Sequence, residues 1–350
     1  MRLTAFFHPL ARIATVTMLA ALTLAGCGST TPARPDAGTQ PALSSSAPPV
    51  RIGIALGGGA AKGFAHIGVI KMLEANGFAP AVVSGTSAGS VVGALYASGM
   101  NAFEMQEKAV ALDETKIRDL QLSSGGLVLG QKLEDYVNEQ VRRKPLEQMT
   151  KPFVVVATRL EDGERTVFAR GNTGQAVRAS SSVPGVFQPV TIGKYHFVDG
   201  GIVSPVPVDA ARQLGADIVI AVDISNKARG QTPGDMLGTL GQSIAIMGQK
   251  LGQAELARAD VIIRPQVLDI GSADFSQRTN AILEGEKAAL AVMPQIRERV
   301  AQLQAERANA ARAAQQKAAE AQYQTCLEKR SSLQKLAGMA RLDDSCTAPK

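Results

Sequence analysis

The chain has no tryptophan, only three histidines and three cysteines, and 4% aromatic residues. It therefore lacks stacking platforms for bases. It also lacks clustered runs of lysine and arginine, so its formal net charge of +6 does not mark a nucleic-acid surface. Neither Cys326 nor Cys346 sits in a zinc-ligand spacing, and no metal site is expected. Long apolar stretches are missing as well. The uncharged run Ile13 to Leu24 is about a dozen residues, too short to span a bilayer as a helix.

That short run has another use. Behind a basic start carrying Arg2, it reads as the core of a secretory signal. It ends in Leu24-Ala25-Gly26-Cys27, which resembles the lipobox of bacterial lipoproteins. The resemblance implies a signal peptide over residues 1–26, cleavage before Cys27 and lipidation of that cysteine. Removing residues 1–26 takes away two arginines and no acids, leaving a net charge of +4. Gly28 stands where, in Gram-negative lipoproteins, an aspartate favours inner-membrane retention, so the expected location is the bacterial cell envelope, lipid-anchored at the outer membrane. Residues 27–49 are rich in Ser, Thr, Pro, Gly and Ala without apolar periodicity, and read as a flexible tether. With Cys27 assigned to lipid, Cys326 and Cys346 remain. They form either a disulfide worth about 3 kcal/mol, which export favours, or two free thiols on a C-terminal tail.

Residues 50–297 alternate short apolar runs with helical stretches. Arg51 to Leu56, Ala81 to Ser84, Phe153 to Thr158 and Ile218 to Val222 carry almost no polar interruption. Such strands are buried on both faces, which predicts an α/β domain with a mainly parallel sheet covered by helices. Beyond Pro294 the composition shifts to Ala, Gln, Glu, Arg and Lys. Residues 298–350 are expected to form a helical extension whose apolar positions fade after Ile296, Val300 and Leu303. Leu120 to Leu133 is either a flexible flap or a helix lead-in.

Three motifs carry chemistry. Gly85-Thr86-Ser87-Ala88-Gly89 follows a strand and precedes a small-residue helix. This is the setting in which a serine hydroxyl is forced out of a tight bend, with glycines where no Cβ fits. Gly57-Gly58-Gly59-Ala60-Ala61-Lys62-Gly63 joins the first strand to its helix. Its converging backbone N–H groups suit an anion. The dinucleotide fingerprint fails because the third glycine arrives one residue late, and the P-loop fails because no Lys-Ser or Lys-Thr follows. An oxyanion hole fits better, with donors among Gly57, Gly58, Gly59 and Ala60 and help from Ala88. Lys62 either strengthens that field or is simply solvated. The last motif, Asp199-Gly200-Gly201, closes a strand 112 residues after Ser87.

In this order the three blocks resemble the signatures of patatin-like phospholipases, and Ala179 to Pro189 and Ser204 to Pro207 look alike too. The resemblance covers roughly Arg51 to Asp223. It implies a three-layer patatin-like α/β fold, a Ser87–Asp199 dyad, an acyl-serine intermediate, no cofactor, and a phospholipid or lysophospholipid substrate. Of the two histidines left after signal removal, His66 reads as a packed core residue, and His196 as the weaker candidate for a general base. The alternative function is a non-catalytic lipoprotein that binds a partner through the fold and C-terminal helix. A binding module has no need of a strained serine.

Overall fold

The computed structural model describes residues 48–117, 119–123, 126–225, 227, 234–337, 346 and 348. The expected signal peptide, Cys27 and nearly all of the tether lie outside the described residues.

The apolar runs become the strands of one sheet. In chain order β1 is Ile52–Leu56, β2 Val82–Thr86, β5 Phe153–Arg159, β9 Ile218–Val222 and β10 Val261–Ile263, with β3 (Leu120–Ser123) and β4 (Gly126–Val128) standing apart as a pair. The five sheet strands run parallel in the order β10-β9-β1-β2-β5. Three antiparallel strands extend the sheet: β6 (Arg165–Phe168), β7 (Val190–Ile192) and β8 (Tyr195–Asp199). Side chains alternate across β1. Ile52, Ile54 and Leu56 enter the larger core, shared with α1 (Ala65–Ala75), α2 (Ala88–Ala97), α3 (Ala102–Val110) and α8 (Arg278–Ala337). Ala55 faces α6 (Val208–Gln213) and Leu256 of α7 (Met236–Leu256) on the other side. Helices thus cover both faces, in three layers, as the double-sided burial of the strands requires.

The pairing on β5 positions everything else. Val155 and Val156 pair with both β2 and β6, while Ala157 and Thr158 pair with both β6 and β8. A strand has two edges, so β2 and β8 share one edge of β5 end to end, with β6 on the other. Thr86 stands opposite Val156 and Asp199 opposite Ala157. The carboxyl ends of β2 and β8 therefore converge on neighbouring positions of one strand.

Two local outcomes differ from expectation. Leu120 to Leu133 is not a plain helix lead-in: it holds the paired strands β3 and β4, and α4 (Gln131–Gln140) begins at its end. The C-terminal helix also starts early. α8 runs 60 residues from Arg278, straight through Pro294, so the expected boundary at 297–298 falls inside it. Proline removes one helical hydrogen bond, but Ala289, Met293 and Ile296 are buried on either side of it, and packing overrides the local preference. Near its end Cys326 forms a disulfide with Cys346, the Cα atoms 6.0 Å apart.

α1 and α8 touch backbone to backbone. A Cβ at Gly68 would lie 2.0 Å from the Ile282 carbonyl oxygen, and one at Gly285 2.0 Å from that of Ala65. Gly68→Ala is expected to force the two helices apart and cost about 2 kcal/mol or more. Thermal unfolding checks this: Tm should drop by several degrees, and an unchanged Tm would contradict so close a crossing.

Candidate active site

Ser87 is the single residue between β2 and α2, with φ 52° and ψ −124°. A side chain at positive φ is strained, and it is held here because strand and helix meet with no slack. A Cβ at Gly89 would lie 2.1 Å from the Leu56 carbonyl oxygen, and one at Gly85 2.6 Å from that of Gly89. The Ser87 carbonyl accepts the Ser90 amide (2.8 Å) and the Ser90 hydroxyl (2.6 Å). Its hydroxyl lies close enough to the Asp199 carboxylate to lower that group's pKa.

Asp199 reaches this position as the last residue of β8. Gly200 follows because the chain turns against β5, where a Cβ would meet the Val156 carbonyl oxygen at 2.1 Å. Ser87 and Asp199 are each only 7% exposed. Burial pushes the Asp199 carboxyl up to about 6, and the Ser87 hydroxyl and the Gly201 N–H (2.7 Å) limit the rise. The carboxylate is thus mostly ionised at neutral pH, yet basic enough to take a proton from a bound hydroxyl.

The end of α5 (Thr173–Ser180) ties the pair together. Ser180 donates its hydroxyl to the Val156 carbonyl (2.5 Å) and accepts the Ser87 N–H (2.8 Å). Two residues on, the Ser182 carbonyl accepts the Asp199 N–H (2.9 Å). The sequence marks this segment only as part of a resemblance. The positioning role of Ser180 depends on a contact 93 residues away, which no local pattern announces.

A second brace comes from α7. Glu255 is 5% exposed and accepts the Ser204 hydroxyl and the Val206 N–H (2.8 Å), while Thr86 donates to the Ser204 carbonyl (2.8 Å). Burial lifts the Glu255 carboxyl to about 7. Sequence reading missed this residue: one glutamate on an amphipathic helix carries no signal of its own.

The glycine loop lies alongside, with a Cβ at Gly58 only 3.2 Å from the Ser87 Cβ. The expected donor set narrows, however. The Gly57 N–H is donated to Val222 (3.1 Å) and the Gly58 N–H to Pro205 (3.0 Å), so these two amides serve the fold. The amides of Gly59 and Ala60 find no acceptor among the described residues and remain for a ligand oxygen, as does that of Ala88 at the start of α2. Ala60, at φ 52°, is a second strained position in the same loop.

Lys62 is 1% exposed, which removes the solvated reading. His66 is fully buried, as expected of a core histidine. Its Nε2 hydrogen-bonds to the Gly57 carbonyl (2.8 Å), so Nε2 carries the proton, and burial lowers its pKa to about 4. It holds the glycine loop as a neutral ring. His196 points away from the site, with its side chain 53% exposed and Nδ1 2.8 Å from Glu161. The general-base reading of His196 therefore fails on geometry.

A serine on a strand–helix bend, an aspartate closing a second strand and a glycine loop beside them are the parts that nucleophilic acyl transfer requires. Residues 54–212 match the family profile of patatin-like phospholipase. An NTE family protein of Mycobacterium tuberculosis is 36% identical over 183 residues, 51% of each chain. Patatin-like phospholipase domain-containing protein 6 of Homo sapiens is 32% identical over 184 residues, 50% of this chain and 13% of its own. Lysophospholipase NTE1 of Pyricularia oryzae is 30% identical over 181 residues, 50% and 12%. The chain spans about half the length of its mycobacterial relatives and far less of the others. Among solved structures, VipD of Legionella pneumophila aligns over 71% of this chain and 67% of its own, with 16% identity and a TM-score of 0.49.

The raised Asp199 pKa has a consequence for stability. In the unfolded chain this carboxyl titrates near 3.8 and in the folded protein near 6, so between those values the folded state holds the proton more tightly. Its contribution is present below about pH 4 and is lost as pH rises through about 6, a cost on the order of 3 kcal/mol at pH 8. Asp199→Asn removes the charge at nearly constant shape. The variant should be more stable than wild type in denaturant unfolding at pH 8, with the advantage gone at pH 4. A variant less stable at pH 8 would contradict the buried-carboxylate account.

Proposed function

We propose that this protein is a serine lipid acyl hydrolase of the phospholipase A or lysophospholipase type. One observation carries the reading: a buried serine hydroxyl on a strained bend beside a buried aspartate whose pKa is raised. Asp199 takes the hydroxyl proton as Ser87 Oγ attacks the ester carbonyl. The carbonyl oxygen becomes an oxyanion received by the amides of Gly59, Ala60 and Ala88. As the C–O bond to the alcohol breaks, Asp199 returns the proton to the leaving oxygen, and an acyl-serine remains. Water then attacks the acyl carbon with Asp199 again as base, the fatty acid departs, and the proton returns to Ser87. No histidine is required, in keeping with the outward position of His196.

The family match supports a lipid ester as substrate, and the intact dyad argues against a purely partner-binding lipoprotein. The proposal extends to location: export under the 1–26 signal and lipidation at Cys27 would hold the enzyme at the membrane containing its substrate. Cys27→Ser should move the protein from the membrane fraction to the soluble one, and unchanged fractionation would reject the lipid anchor.

Hydrolysis of a short-chain nitrophenyl ester tests the chemistry. Ser87→Ala and Asp199→Ala should each lose at least about a thousand-fold in kcat, whereas His196→Ala should stay within twofold of wild type. In wild type kcat should rise with pH through about 6, as Asp199 ionises. Turnover retained in Ser87→Ala, or activity lost only in His196→Ala, would overturn the assignment.

A further inference from the structure

The fold also holds a cleft of about 290 Å³, at the low end of small-molecule sites. It sits between α7 and the carboxyl ends of β9 and β10, where open parallel sheets receive ligands. One wall is the segment from Asp223 to Ser225, which also backs the glycine loop: a Cβ on Gly59 would lie 2.7 Å from Ile224. The other wall is α7, whose Gly248 faces the Gly201 carbonyl oxygen, with 3.8 Å between that oxygen and a Cβ placed there. The cleft therefore adjoins both halves of the site, the oxyanion loop and the Asp199 turn.

Its lining carries a net positive charge. Asp223, Ser225, Lys227, Gln249, Gln253 and Arg264 all face it. Asp223 is largely spent on the fold: one oxygen accepts the Ser225 amide and hydroxyl, and the other faces Arg264 Nε at 3.4 Å. That contact holds the guanidinium from its inner side. The two terminal nitrogens of Arg264 have no acceptor among the described residues, and the side chain is 51% exposed. A planar fork held from behind and open in front matches two oxygens of a phosphate. Lys227 is exposed on the same lining, without a partner among the described residues.

We propose that this cleft binds the phosphate head of the lipid whose ester is cleaved at Ser87, with the terminal nitrogens of Arg264 as the principal ligands and Lys227 as a second cation. This rests on the hydrolase reading above. It makes the enzyme one for phosphate-bearing acyl esters rather than neutral glycerides.

The test compares lysophosphatidic acid with a monoacylglycerol of the same acyl chain, which differ by the phosphate alone, using the full chain. Arg264→Ala should lower the ratio of kcat/KM on the phosphate ester to that on the neutral ester at least tenfold, chiefly through KM. Arg264→Lys should recover part of it, and Lys227→Ala should lower the ratio at least threefold, providing a second variant if Arg264→Ala folds poorly. A ratio within twofold of wild type in both alanine variants overturns the inference. Inhibition by millimolar inorganic phosphate that requires Arg264, with the substrate ratio unmoved, would assign the cleft to the free ion and also overturn it. Turnover of neither ester by wild type would bring down the hydrolase reading, and this inference with it.

Discussion

Two strands ending head to head on one edge of β5 are the constraint from which the site follows. β2 runs parallel to β5 and stops opposite Val156; β8 runs antiparallel and stops opposite Ala157. Each strand delivers one functional side chain at its carboxyl end, and the register brings serine and aspartate together without any long loop. The geometry resides in backbone pairing, the stiffest element a protein has, rather than in mobile segments. Such anchoring suits a dyad, whose two members have no third residue to orient them.

The cost of the arrangement is concentrated at the same point. Ser87 and Ala60 both sit at positive φ, and Asp199 is an ionisable group removed from water. The surrounding structure offsets these terms with polar bonds from distant elements. Ser180 holds the Ser87 amide, Ser182 the Asp199 amide, and Glu255 of α7 fixes the loop that follows the aspartate. His66 holds the glycine loop through one carbonyl, and its burial keeps the ring neutral. The large core under α1 and α8, with its glycine-to-glycine crossing, supplies the rigidity against which that strain is maintained.

The sequence made the site's outline legible because glycine is informative where backbones nearly touch. Gly85, Gly89 and Gly200 each stand where a Cβ would meet a carbonyl oxygen within 2.6 Å, so the motifs around Ser87 and Asp199 are direct imprints of close packing. Unbroken apolar strands likewise announced a sheet covered on both faces. What stayed hidden depends on long-range partners. The amides of Gly57 and Gly58 look like anion donors until their acceptors, Val222 and Pro205, are seen to arrive from far along the chain. Ser180 and Glu255 are ordinary residues locally and acquire their roles only through contacts across the fold. Pro294 reads as a boundary but lies within a helix, because burial of Met293 and Ile296 outweighs a lost hydrogen bond. The pairing of β3 with β4 escaped notice because the glycines of that segment suit a flexible loop equally well.

The central claim is that Ser87 forms a covalent acyl bond, and covalent capture tests it most directly. An alkyl fluorophosphonate reacts with an activated serine and stays attached, so peptide mass spectrometry locates it. The account predicts a single adduct on Ser87, formed in wild type and lost in Asp199→Asn. An adduct on another residue, or no adduct in a protein that still turns over esters, would contradict it.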